Sequence, residues 1–132
     1  MKIAADTNVL LRAAVRDDPQ QAISAAKVLR SADLLAVPVA ALCEFAWVMR
    51  SAYKRSAQDV AVSIRSLVTS PNVVTNQPAV DAGLEVLEKG GDFADGVIAY
   101  EGHWLGAEEF VSFDKQAVSL LKSQGKRARL LS

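Results

Sequence analysis

The sequence predicts an α/β fold: a mainly parallel central sheet with helices on both faces. Three observations carry this reading. Short apolar runs of strand length recur at residues 2–5, 34–37, 72–75 and 109–113. Longer stretches between them place their apolar residues at helical spacing. Gly, Pro, Asp and Ser punctuate the boundaries, and no repeat, low-complexity tract or linker divides the 132 residues. Strands separated by helices pair in parallel, because the chain must cross back before the next strand begins. The crossover helices then cover both faces.

Each element follows from local chemistry. After the opening strand, 9–15 reads as a short helix with Thr7 or Asn8 near its cap. Pro19 opens the next, where its missing N–H costs nothing, and Ala22, Ala25, Ala26, Val28 and Leu29 keep helical spacing to about Ser31. The run 34–37 is a buried strand ended by Pro38, and 39–53 is a helix. Ser56-Ala57-Gln58-Asp59 has capping-box character and starts a helix to about Val68. A strand at 72–75 precedes a helix over 79–88 that stops at Gly90-Gly91. Helix 92–104, strand 109–113, helix 115–123 and a short final strand at 127–131 complete the chain.

Composition bounds the function classes. The length suits a single domain spanning 1–132, large enough to hold a core without staples. Lys and Arg total 15 against 15 Asp and Glu, so no global field announces a nucleic-acid partner, although a local patch suffices for one. Cys43 is the only cysteine, which excludes an internal disulfide and a thiolate zinc cluster and suits a reducing cytoplasm. Met1-Lys2 enters strand-like sequence at once, so no secretory leader is expected, and no apolar stretch nears the ~20 residues of a membrane span. The 51% apolar content is high enough to suggest cover by another chain.

The chemistry lies in four remote carboxylates. Asp6 follows the first strand, Glu44 sits within Leu42-Cys43-Glu44-Phe45-Ala46-Trp47, Asp95 precedes Gly96-Val97-Ile98, and Asp114 follows Phe110-Val111-Ser112-Phe113. Apolar neighbours make an unpaired charge costly, and few basic residues lie nearby, so a shared divalent cation would satisfy all four. Ligand sites of open parallel sheets form at the carboxyl ends of the strands, where Asp6 and Asp114 fall and which helices carrying Glu44 and Asp95 can reach. Two such charges 4 Å apart repel by ~4 kcal/mol at an effective dielectric of 20, so a metal-free cluster is strained. Plainer roles stand beside these. Asp6 and Asp114 are placed to cap the helices that follow them, and Asp92 and Asp95 have capping-box spacing. Glu44, in mid-helix, has no capping role.

Asp6-Thr7-Asn8-Val9-Leu10-Leu11, Glu44 in its apolar helix, Asp92-Phe93-Ala94-Asp95-Gly96-Val97-Ile98-Ala99 and Val111-Ser112-Phe113-Asp114 together resemble the motifs of PIN-domain nucleases. Size and layout are most similar to the VapC toxins of bacterial toxin–antitoxin pairs. The resemblance implies a three-layer α/β/α fold and a Mg2+- or Mn2+-dependent endoribonuclease, with Asp6, Glu44, Asp95 and Asp114 as the metal-site and catalytic acids. Thr7, Asn8 and Ser112 would orient an acid, a water or a phosphate, and Asp92 would be a fifth acid. Asp6 and Asp95 would be the most direct ligands, with Glu44 and Asp114 holding waters or a second ion. Implied partners are RNA, a cognate antitoxin that covers the site and a second copy of the chain. The departures are Ala4-Ala5 before the first Asp, Gly96 where Ala is common and Ser112 where Thr is common; none removes an acid.

Arg12, Arg16, Arg50, Lys54 and Arg55 are candidates for phosphate contacts, with Arg127 and Arg129 undecided between that role and plain solvated surface. His103, Cys43, Trp47 and Trp104 read as packing or surface residues rather than site groups. Competing functions fit less well. Aspartyl-phosphate phosphatases want an acid where Asn8 stands, and a response regulator wants one after the middle strand, where Val73-Val74-Thr75-Asn76 offers none. A catalytically silent PIN-like partner-binding domain would have no need of all four acids.

Overall fold

A computed structural model describes all of residues 1–132. Five strands and seven helices alternate, and every strand pairing is parallel. The chain forms two compact units, residues 1–76 and 77–132.

The first unit holds β1 (Lys2–Ala4), α1 (Thr7–Val15), α2 (Pro19–Ser31), β2 (Leu34–Ala36), α3 (Val39–Ser51), α4 (Ala57–Val68) and β3 (Val73–Val74). Its sheet runs β1-β2-β3, with Ile3 opposite Leu35 and Leu35 opposite Val73. Leu35 and Val37 are buried, as are Leu10 and Leu11 of α1, Leu42, Phe45 and Met49 of α3, and Val60 and Ile64 of α4. The caps explain the helix starts. Asp18 accepts from the Gln21 N–H ahead of Pro19, and Ser56 accepts from the Asp59 N–H, as its capping-box pattern predicts. Asn72 bridges from β3 to α2, donating to the Leu29 and Ala32 carbonyls, and Thr75 donates to Val37.

The second unit holds α5 (Gln77–Leu87), α6 (Phe93–Trp104), β4 (Phe110–Ser112), α7 (Lys115–Ser123) and β5 (Ala128–Leu130), with β4 and β5 paired and Val111 opposite Arg129. Val86, Val118, Leu121 and Ala128 form its core, and Phe93 is wholly buried. Helices α5 and α6 meet at glycines. A Cβ on Gly96 would lie 2.3 Å from the Ala82 carbonyl oxygen, and one on Gly83 would lie 2.6 Å from the Phe93 ring. Gly96 therefore seats the first turn of α6 closely against α5.

The α/β class and the parallel pairing hold as expected. The expected single sheet is hydrogen-bonded as two, three strands and two, one in each unit. Element edges move by at most two residues, since the first and last residues of a strand depend on which N–H finds a partner.

Candidate metal and active site

Asp6 lies two residues beyond the end of β1, at the carboxyl edge of its sheet. Its extended backbone ends the strand, and its Oδ1 accepts from the Val9 N–H at 3.2 Å, which makes it the N-cap of α1 in place of Thr7 or Asn8. The second carboxylate oxygen makes no hydrogen bond within the chain. Thr7 and Asn8 form the first helical residues beside it. Glu44 lies in the middle of α3 and is exposed. At 3.6 residues per turn, Ala41, Leu42, Phe45 and Met49 take the buried face and rotate Glu44 outward, with Trp47 62% exposed one turn on.

The second unit repeats the same device. Asp114 lies two residues past β4, and its Oδ1 accepts from the Gln116 and Ala117 N–H groups at 2.9 and 3.2 Å as the N-cap of α7. Ser112 fixes this turn, its Oγ accepting from the Asp114 N–H at 2.9 Å. Asp92 caps α6, accepting from the Ala94 N–H at 3.0 Å, and Asp95 follows at the third helical position.

Asp95 is the perturbed group. Burial first, then the charges of Asp92 and Asp114, raise its pKa from 3.8 to about 6. The field of a helix N-terminus favours the ionised form. Desolvation and two like charges outweigh it here. Asp92, Asp95 and Asp114 thus form one electronegative locus within the second unit. Of the acids singled out in the sequence, Asp95 alone carries the burial that apolar neighbours suggest. Asp6, Glu44, Asp92 and Asp114 are exposed.

The donor set suits a hard divalent cation, because every candidate offers carboxylate oxygen. Within neither unit do three or more Asp, Glu, His or Cys side chains converge closely enough to cage an ion. Capping does not exhaust these groups, since an ionised carboxylate accepts at about four positions and each cap uses Oδ1 alone.

Cations suited to phosphate are partly committed. Arg12 Nη1 bonds Asp17 at 3.1 Å, and Arg129 Nε bonds Glu109 at 3.0 Å. Arg50 donates to the Arg55 carbonyl, while Arg16 and Lys54 stand in left-handed turns with φ of 60° and 56°. Trp47 and Trp104 are both exposed, so core packing is excluded for them. A cleft of about 730 Å³ between α1 and α2 begins at Asp6 and brings Gln20, Gln21 and Ser24 beside it. Sequence reasoning passed over these three. Their signal was a polar i, i+1, i+4 set on the outer face of an alanine-rich helix.

The PIN domain family profile matches residues 3–120, which takes in β1 from Ile3 onward and every acid named above. The chain is a PIN domain. PIN domains are in general nucleases, hydrolases of nucleic-acid phosphodiester bonds, and they typically use divalent metal ions. A comparison with curated proteins finds no match to this chain. No helix of this PIN domain is long and apolar enough to cross a membrane.

Proposed function

We propose that this PIN domain is a Mg2+- or Mn2+-dependent endoribonuclease, acting as a single domain over 1–132 and serving as the toxin of a toxin–antitoxin pair. The observation that carries the reading is a repeated local design in a chain of nuclease family: an acid two residues past a parallel strand, at Asp6 and again at Asp114, with Asp95 in an electronegative locus. Asp6 and Asp95 hold the ion most directly, and Glu44 and Asp114 hold its waters. A divalent ion in such a site supplies Lewis-acid polarisation of a phosphate oxygen and acidifies a bound water.

The chain's own groups do the positioning. Backbone N–H groups hold Oδ1 of Asp6, Asp92 and Asp114, which aims the remaining oxygen of each with little rotamer entropy left to lose. Asp95, ionised near neutrality, would offer its carboxylate to the ion, whose charge would offset the repulsion from Asp92 and Asp114. No side-chain nucleophile is required.

The toxin role rests on the resemblance of the motifs, with support from exposed apolar side chains suited to protein partners. Trp104, Leu105 and Phe113 are 74%, 89% and 72% exposed. A cognate antitoxin and a second copy of the chain are the proposed partners, in the cytoplasm. The test is cleavage of total RNA by purified protein with Mn2+, with EDTA, and by Asp6→Asn. Asn keeps the α1 cap, so the variant should fold normally and lose cleavage by ~100-fold or more. Equal cleavage by the variant, or cleavage unaffected by EDTA, overturns the reading.

A further inference from the structure

We propose that the cleft between α1 and α2 is a base-reading subsite, in which side-chain amides read the edge of the nucleotide next to the bond cut at Asp6. This rests on the nuclease reading and names what selects the cut site.

The cleft's volume, about 730 Å³, falls within the range of sites that enclose a small ligand such as one nucleotide. Its wall carries three amides, Asn8 from α1 and Gln20 and Gln21 from α2, with the hydroxyl of Ser24 one turn along. Each amide sets an acceptor beside donors, the arrangement that pairs bidentately with a base edge. All four side chains are exposed, and none bonds within the chain. An amide cluster is a poor grip for a phosphate, which wants cations, and a poor floor for an apolar peptide face. Val9, Ala25 and Val28 supply an apolar floor under the amides, against which the flat face of a base can lie.

Two charged side chains share the lining with the amides. Asp6 repels phosphate unless a cation is bound. Arg12 also lines the cleft, with its guanidinium held by Asp17, whose other oxygen lies 3.5 Å from the Tyr53 hydroxyl. Only one of Arg12's five donors is used by that ion pair, so the rest can take a backbone phosphate while Asp17 keeps the fork from swinging away. Base recognition in single-stranded RNA works through such splayed, edge-on contacts.

The test is an NMR titration of the metal-free protein with each of the four ribonucleoside 5′-monophosphates, followed by mapping of RNA ends after cleavage. The side-chain NH2 signals of Asn8, Gln20 and Gln21 should shift saturably, with one nucleotide binding about tenfold tighter than the weakest, the discrimination of a single bidentate pair. Gln20→Ala/Gln21→Ala, both exposed helix positions where Ala is well tolerated, should flatten that preference and redistribute the cut sites. Unshifted amides, equal shifts with all four nucleotides, or an unchanged cut-site pattern in the double variant overturns the inference. If the wild-type protein cuts no RNA while the amides still discriminate among nucleotides, the nuclease reading fails and the base-reading site stands.

Discussion

Asp95 shows how one residue carries both strain and chemistry. Its carboxyl is raised to about 6 by burial and by Asp92 and Asp114, so the folded, metal-free chain prefers it protonated. The unfolded chain ionises it near 3.8. Its stabilising contribution is therefore complete below about pH 4 and is lost as pH rises through about 6. Asp95→Asn should match the wild type in metal-free stability near pH 4 and exceed it near pH 8 by about 1 kcal/mol, solvent screening having been discounted. Urea denaturation at the two pH values reads the difference. A variant less stable at pH 8 would mean that no repulsive locus exists. Asp6, Asp92, Asp95 and Asp114 could be singled out before any fold was known, because each stands beside a strand end or a helix start. Their environments could not. Glu44 has apolar neighbours on both sides in sequence and still faces solvent, since helical rotation decides which side chain turns inward.

At the scale of elements, capping and close approach set where the acids stand. Asp6, Asp92 and Asp114 each end a non-helical stretch and start a helix, so the capping role and the site role fall on the same side chains rather than competing. The α5–α6 pair is held by backbone contact at Gly96. Gly96→Ala drives a Cβ to 2.3 Å from a carbonyl that cannot step aside, and should cost about 3 kcal/mol. Gly102→Ala, on the same helix, meets nothing nearer than the Ala107 Cβ at 4.0 Å and should gain about 0.5–1 kcal/mol. Thermal melting of the two variants should move in opposite directions; a neutral Gly96→Ala would show that α6 can shift on α5. Helix α7 matches its expected span of 115–123 because a capping acid and a C-terminal Gly125 bracket it. Strand β3 shrinks to two residues because its pairing partner, and not its composition, limits its length.

For the whole molecule, the balance of 15 cations and 15 anions leaves attraction to a polyanion entirely to local groups and bound metal. Metal should then act on stability as well as activity. An ion that binds only the folded chain adds about 2.7 kcal/mol at a concentration 100-fold above its Kd. Mn2+ should raise the melting temperature by several degrees over EDTA, and Asp6→Asn and Asp95→Asn should each lose that rise. A rise retained in either variant would remove that residue from the ion. The α/β class, the order of elements and most helix starts were determined by sequence alone, because periodicity and turn chemistry are local properties. Tertiary structure alone decided which acid is half-buried, how hydrogen bonds divide the strands between two sheets, and that Gln20, Gln21 and Ser24 share a cleft with Asp6. Burial, ladder pairing and concavity come from residues distant along the chain, which no local pattern encodes.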